Sequence, residues 1–349
     1  MFFNILFFFF SPFFKSIFGR PQKFLLLFLC IPSIIEAQPK KTVLVIYTYD
    51  SFIADWGAGP GIKKSFEKNC DCQLKWVSFK DGVSLLNRLR MGNTNHSADI
   101  VLGLDNNLLI SAEKTGLFVE SKIDTSRMHL PKNWESKIFI PYDFGYFSFV
   151  YNKNKLKDPP KSLYELLNSN KTWKLIYQDP RTSTPGLGLL LFIQKVYGAE
   201  APKIWTKLAA KTVTVTKSWG EAYGLFLKGE SDFVWSYTTS PAYHIIEEKN
   251  HQYAAMNFSE GHYLQIETVA QLAASQHPKL AQSFMEFVLT PEFQKHIAPG
   301  NWMYPVIKIT LPKGFDELIQ PQKVLHYSSK EAAENRNKWI NLWQTTVSL

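Results

Sequence analysis

The stretch YTYDSFIADWGAGPG, residues 47–61, links a predicted strand to a predicted helix. The run before it, KTVLVIYTY (41–49), is rich in β-branched and aromatic residues, which favour a buried strand. A loop that only closes a turn needs Gly, Asn or Asp, yet this loop also contains Asp50 and Trp56. We therefore predict that the loop presents a carboxylate and an aromatic ring to a ligand.

The same alternation of short apolar strands and helical segments continues along the chain and predicts an α/β fold. Capping side chains precede several predicted helices, including Asp81, Thr184, Ser218 and Ser240. In α/β sheets, ligands bind beyond the carboxyl ends of strands, where helix starts offer unpaired N–H groups and partial positive charge. The sequence therefore predicts an anion site where these helix starts meet, although capping alone is a sufficient role for Asp81.

Six aromatic residues are predicted to lie in loops, at strand ends or at helix starts. They are Tyr49, Trp56, Trp219, Tyr237, Tyr243 and Trp302. A single loop aromatic usually packs against the nearby core, but six of them indicate a stacking site. Aromatic faces attract cations by about 0.5–2 kcal/mol per ring, and carboxylates such as Asp50 and Asp81 add charge-assisted hydrogen bonds. The pattern favours a flat, cationic ligand.

The N-terminal segment predicts export. Residues 19–37 combine basic Arg20 and Lys23 with an apolar run and a cleavage position after Ala37, as signal peptides do; a retained membrane anchor is the alternative. The net charge of +9 is scattered and forms no Lys/Arg block, so nucleic acid is not an expected partner. Cys70 and Cys72 would be the mature cysteines, and the sequence leaves open whether they form a disulfide.

Enzymatic signatures are missing from the sequence. No GxSxG, HExxH or Walker motif is present. His244, Glu247 and Glu248 are interpreted as ordinary helix residues. We therefore expect neither catalytic nor metal-binding residues.

Long sequence blocks resemble the periplasmic thiamine-binding proteins of Gram-negative bacteria. The blocks are YTYDSFIADWGAGPGIKKSFE (47–67), DGVSLLNRLRM (81–91), ADIVLGLDNNLL (98–109), YQDPRTSTPGLGLLL (177–191), SWGEAYGLFLKG (218–229), SYTTSPAYHI (236–245) and GNWMYP (300–305). The resemblance covers nearly all of residues 41–349. It implies a two-lobed type II periplasmic binding protein fold with two hinge crossovers. The implied organisation is a signal peptide at 1–37, one lobe from 38–143 with 268–349, and a second lobe at 144–267.

The resemblance also implies a function. Members of this family capture thiamine, thiamine monophosphate and thiamine diphosphate in the periplasm and deliver them to an ABC importer, a permease and ATPase complex in the inner membrane. They catalyse no reaction and need no cofactor, because thiamine and its phosphates are transported ligands. The implied ligand-binding residues are Asp81, Gly82, Ser183, Thr184, Trp219, Tyr237, Thr238, Thr239, Ser240, Tyr49, Tyr243 and Trp302, with Trp56 added as a further candidate. As hypotheses, Gly82 and Ser183–Thr184 supply donors to the phosphate, and the aromatic rings sandwich the two heterocycles.

Two alternatives remain at this stage. A thiaminase-like enzyme of the same fold class would need a cysteine and a carboxylate in the cleft, but Cys70 and Cys72 fall in a polar segment away from the strand ends. A receptor for another solute, such as ferric ion or a polyamine, would need a cluster of tyrosines with carboxylates or histidine, or several acids. Trp219, Trp302 and the TSTPG helix start fit neither solute as well.

Overall fold

The structure is a computed structural model that describes residues 41–92 and 98–348. The predicted signal peptide lies outside the described residues. Within the described part, no helix is both long and apolar enough to cross a membrane. Residues from Lys41 onward form one compact unit.

The described residues form eleven strands and eleven α-helices. The strands are β1 (Thr42–Tyr49), β2 (Cys72–Phe79), β3 (Ile100–Asp105), β4 (Ile140–Asn152), β5 (Leu175–Gln178), β6 (Thr212–Thr216), β7 (Phe233–Tyr237), β8 (Tyr253–Ala255), β9 (His262–Gln271), β10 (Tyr304–Pro305) and β11 (Val324–Leu325). The helices are α1 (Ala58–Glu67), α2 (Gly82–Met91), α3 (Leu109–Glu113), α4 (Leu163–Asn168), α5 (Thr184–Tyr197), α6 (Ala201–Lys211), α7 (Trp219–Leu227), α8 (Pro241–Ile246), α9 (Pro278–Val288), α10 (Pro291–Gln294) and α11 (Ser329–Val347). A disulfide joins Cys70 to Cys72 at the start of β2.

The strands run in the order β2-β1-β3-β9-β4-β7-β5-β6. At one end β1 pairs in parallel with β2 and β3, and at the other end β5 pairs in parallel with β6 and β7. Between these parallel groups lie the antiparallel strands β4 and β9. The pairing therefore confirms an α/β fold built from two parallel groups of strands that two long strands connect.

Strand β4 belongs to both groups. Its residues from Ile140 to Tyr146 pair with β9, and its residues from Phe147 to Tyr151 pair with β7. The boundaries between the lobes, at 143/144 and 267/268, fall inside β4 and β9 and remain a prediction. The sequence analysis missed β4 because nearly all its side chains are buried, so its sequence does not alternate between apolar and polar residues.

The helix starts agree only in part with the predicted caps. Asp81 accepts a hydrogen bond from Gly82 N, as predicted, whereas α5 is capped by Ser183 rather than Thr184. The predicted caps at Ser218 and Ser240 are wrong, because neither side chain caps its helix; at α7, Glu221 Oε2 accepts from Lys217 N instead.

Gln294 fastens α10 to its surroundings in the core. This fully buried side chain donates from Nε2 to the carbonyl oxygens of Tyr142 and Val288, at 2.9 and 3.0 Å, and accepts from Val306 N at 2.9 Å. One amide thus satisfies backbone groups from β4, from α9 and from the segment after β10. The loop between α10 and β10 is held in place by this contact.

We predict that Gln294→Leu lowers the free energy of unfolding by roughly 3 kcal/mol, because buried backbone groups lose their partners. Urea unfolding measures the change. The matched control is Gln282→Leu on α9, since Gln282 is only half-buried and its side chain donates to another side chain, Glu286 Oε1, at the surface; it should change stability by less than about 0.5 kcal/mol. Equal losses in the two variants would contradict this role for Gln294.

Candidate ligand-binding cleft

A cavity of about 580 Å³ lies at the carboxyl ends of β1 and β7 and at the starts of α5, α7 and α8. Its lining comprises Tyr49, Asp50, Ser51, Trp56, Lys80, Asp81, Thr184, Pro185, Ser218, Trp219, Gly220, Glu221, Tyr223, Gly224, Leu227, Tyr237, Ser240, Tyr243, His244, Glu248, Glu267, Asn301, Trp302 and Met303. The cavity therefore occupies the position at which α/β sheets bind ligands. Both parallel groups of strands contribute to its walls.

All six aromatic residues singled out from the sequence line this one cavity. The Trp56 ring lies 6.4 Å from that of Trp219 and 6.2 Å from that of Tyr243, and the Tyr243 and Trp302 rings are 5.4 Å apart. Trp302 has a left-handed backbone (φ 56°), which is uncommon for a bulky residue and occurs at functional sites. The rings form a shared aromatic enclosure rather than separate contacts with the core.

Asp81 joins the starts of α2 and α5. Its Oδ1 accepts from Gly82 N at 2.8 Å and Thr184 N at 3.0 Å, and its Oδ2 accepts from Ser183 Oγ at 2.8 Å. Burial raises the pKa of Asp81, and these hydrogen bonds oppose the increase. Asp81 thus engages the N–H groups of Gly82 and Thr184 and the Ser183 hydroxyl in this arrangement, and the role of these residues as donors to a phosphate stays a prediction.

The predicted segment 237–240 contributes only in part. Tyr237 and Ser240 line the cavity, whereas Thr238 and Thr239 are fully buried behind it. Tyr237 Oη donates to Gln265 Oε1 at 3.0 Å, and this fixes its ring at the wall. Among the other predicted residues, Asp81 and Thr184 line the cavity, but Gly82 and Ser183 do not.

A row of three buried carboxyl groups crosses the sheet beneath the cavity, and the sequence analysis missed it. Asp105 on β3 and Asp143 on β4 are both paired in register with Glu267 on β9. Glu267 lines the cavity and is only 6% exposed. Like charges on directly opposite residues destabilise a sheet, so this row is costly for the fold. A single acid inside the apolar run HYLQIETVAQLAA (262–274) was the available sequence signal.

Neutral side chains hold Glu267 in place. Its Oε2 accepts from Tyr49 Oη at 2.7 Å and from Asn301 Nδ2 at 3.0 Å, and the same Asn301 nitrogen donates to Asp143 Oδ2 at 2.5 Å. Gly103, with φ of 107°, leaves room for the Tyr49 ring, because a Cβ there would lie 2.4 Å from Tyr49 Cδ1.

Burial raises the pKa values of all three carboxyl groups in this row. The pKa of Asp143 lies well above its usual range because of burial and of the nearby Glu267 charge. Burial also raises the pKa of Glu267 and brings that of Asp105 to about 7. The carboxyl groups of this row therefore release their protons at higher pH than ordinary carboxyl groups do.

A second cluster in the wall was also missed. Tyr223 Oη lies 3.0 Å from His244 Nε2, and His244 Nδ1 lies 2.6 Å from Glu248 Oε2. Tyr223 stacks against Trp219 with ring centroids 5.1 Å apart. The spacing of Trp219 and Tyr223, four residues apart on α7, was a usable signal because such residues share one helix face.

The mouth of the cavity carries the exposed charges. Lys80 Nζ lies 3.0 Å from Asp50 Oδ2, so Asp50 pairs with a lysine at the rim. Ser218 and the first residues of α7 also line the cavity, and Trp56 is 42% exposed. Within residues 41–92 and 98–348, no three His, Cys, Asp or Glu side chains are grouped to hold a metal ion.

Comparison with known proteins identifies the family. The family model for bacterial extracellular solute-binding proteins matches residues 47–295.

The chain belongs to the bacterial extracellular solute-binding protein family.

Its relatives include the thiamine-binding periplasmic proteins of Escherichia coli (strain K12) and Salmonella typhimurium, with 62% and 60% identity over 88% of this chain and 94% of each relative. A solved structure titled periplasmic thiamin binding protein superposes with a TM-score of 0.87 and 61% identity, covering 88% of this chain and 97% of that one. The predicted two-lobed type II fold, the role as a solute-binding receptor and the periplasmic location are confirmed by these relatives.

We predict that Asp105→Asn flattens the dependence of stability on pH. The folded-state pKa of about 7 lies above the unfolded value of about 3.9. The folded protein therefore binds more protons between these values, and the stability from Asp105 is lost as pH rises through them. Between about pH 5 and 7, the unfolding free energy of the variant should fall less steeply with rising pH than that of the wild type, by about 1 kcal/mol per pH unit.

Urea unfolding at several pH values measures this slope. The control is Asp124→Asn, because Asp124 is exposed and hydrogen bonds from Ser126 lower its pKa, so it should leave the slope in this range unchanged. An Asp105→Asn slope equal to that of the wild type would contradict the raised pKa.

Proposed function

We propose that this periplasmic solute-binding protein captures thiamine, thiamine monophosphate and thiamine diphosphate in its cleft and delivers them to the permease and ATPase complex of an ABC importer. The observation that carries the proposal is the shared enclosure of Trp56, Trp219, Tyr243 and Trp302 over an acidic floor. The names of the relatives at 60% and 62% identity support the same ligand.

The chemistry of thiamine suits this cleft. Its thiazolium ring is flat and permanently positive, so each well-placed aromatic face contributes about 0.5–2 kcal/mol. The cavity of about 580 Å³ lies in the usual size range of small-molecule sites, roughly 300–1,000 Å³. Nanomolar affinity needs about 12 kcal/mol, which several rings and a buried ion pair can supply together.

The phosphate of the esters is proposed to lie at the mouth of the cleft. The Thr184 N–H at the start of α5 is engaged by Asp81, and a phosphate beside that carboxylate would be repelled if both were charged. The exposed Lys80 and the start of α7 also line the cavity. A helix start and a lysine together favour an anion.

The protein is proposed to act as a receptor and not as an enzyme. Cys70 and Cys72 are joined in a disulfide, and neither lines the cleft. A thiaminase-like reaction would require a thiol nucleophile beside the ligand. Incubation of thiamine with the protein should therefore return the vitamin intact.

We predict that isothermal titration with thiamine gives saturable binding at one site with a dissociation constant below about 1 μM. Trp219→Ala should weaken binding about tenfold or more, because one cation–π face and its apolar area are lost. Trp339→Ala is the control, since Trp339 packs on Tyr327 away from the cleft. Absence of saturable binding to the wild type at about 100 μM thiamine would overturn the proposed ligand.

We predict that Lys80→Gln weakens binding of thiamine monophosphate about threefold and leaves thiamine nearly unchanged, as an exposed charge pair contributes about 0.2–1 kcal/mol. Competition titrations at low and high salt measure both ligands. Lys338→Gln on α11, exposed and outside the cleft, is the matched control. An equal change for both ligands would place the phosphate elsewhere.

A further inference from the structure

Five carboxylates line the cleft, and four of them already have a basic side chain or a backbone N–H group as a partner. Asp50 pairs with Lys80, Asp81 accepts from two backbone N–H groups, Glu221 accepts from Lys217 N, and Glu248 lies beside His244. The fifth carboxylate, Glu267, accepts from the neutral side chains of Tyr49 and Asn301. Its charge has no counter-ion among the ion pairs of the described residues.

The three carboxyl groups of the row also differ in whether a cation lies near them. Asp105, at one end, lies where the positive charge of Arg336 lowers its pKa. Glu267 and Asp143 have no such cation among the causes that shift their pKa values. Glu267 is only 6% exposed, yet it borders the cavity. An uncompensated buried charge is costly, and such charges are normally paired.

We propose that Glu267, held by Tyr49 and Asn301 beside Asp143, is the counter-ion for the positive charge of the ligand in the cleft. The inference rests on the proposed function and deepens it, because it assigns the group that selects a cationic heterocycle over a neutral one of the same shape. The positive charge of the ligand provides the ion-pair partner that Glu267 lacks within the protein. Trp302, with its Nε1 unpaired, borders the same cavity.

The neighbouring Asp143 limits the negative charge at the floor of the cavity. Two adjacent carboxyl groups without a cation do not both ionise readily, and the nearby Glu267 charge raises the pKa of Asp143. Asp143 therefore keeps its proton and donates it to Glu267, and the pair carries one negative charge. A single charge matches a monocation such as the thiazolium ring. Asn301 Nδ2 holds both carboxyl groups at this distance.

The test compares thiamine with 3-deazathiamine, its neutral isostere in which a thiophene ring replaces the thiazolium ring. Isothermal titration gives the ratio of the two dissociation constants within each protein, and this ratio does not depend on the fraction of folded protein. The wild type should prefer thiamine by about tenfold or more, and Glu267→Gln should reduce that preference by about tenfold, because a charge-assisted contact becomes a neutral one.

Two further variants separate charge from structure. Asp143→Asn should retain the preference, since an amide keeps the contacts to Asn301 and Glu267 of a protonated carboxyl group. Glu260→Gln should also retain it, because Glu260 accepts from Tyr197 Oη at 2.7 Å, as Glu267 does from Tyr49, but lies outside the cleft.

The outcomes distinguish the two proposals. Failure of the wild type to bind thiamine would overturn the proposed function. Thiamine binding with an unchanged ratio in Glu267→Gln, or equal affinity of the wild type for both compounds, would overturn only the role of Glu267. Should Glu267→Gln not fold, equal affinity of the wild type for the two compounds would still overturn the role of Glu267. A loss of preference in Asp143→Asn equal to that in Glu267→Gln would overturn the assignment of the charge to Glu267.

Discussion

The antiparallel pairing of β4 with β9 is the constraint on which the rest of this structure depends. These two strands connect the parallel group of β1, β2 and β3 to that of β5, β6 and β7. They also place Asp143 opposite Glu267 at the floor of the cavity. The fold could bury two hydrophobic side chains at these positions, which would stabilise the sheet more. Two acids at the centre of the sheet therefore indicate that this pairing serves the ligand as well as the fold.

The aromatic walls and the acidic floor contribute differently to ligand binding. Rings such as Trp219 and Tyr243 contribute contact area and a moderate attraction for positive charge, which any flat cation can use. The carboxylate of Glu267 acts in a buried setting, where one charge has a larger effect than at the exposed Asp50–Lys80 pair of the rim. Affinity thus comes mainly from the rings, and selection of a cation from the floor. This division explains how a receptor discriminates a charged vitamin among neutral heterocycles.

The sequence predicted the parts of this site that have local signals. Strand β1 and the starts of α2 and α5 could be placed because apolar runs, capping residues and proline act within a few positions. Trp219 and Trp302 were found because aromatics in loops are unusual. Glu267, Asn301 and Asp143 were missed because their importance arises only when β4, β9 and the loop before β10 are brought together. The engagement of Thr184 N by Asp81 is likewise a contact across 103 positions, which no local pattern reports.

The most direct test of this account is a crystal structure of the protein with bound thiamine. The account predicts density for the thiazolium ring inside the enclosure of Trp56, Trp219, Tyr243 and Trp302, with the Glu267 carboxylate as the nearest acidic group, within about 4–6 Å of the ring. It also predicts that Asp81 keeps its contacts with the start of α5. Thiamine bound with its positive ring away from Glu267, or outside this cavity, would contradict the central claim.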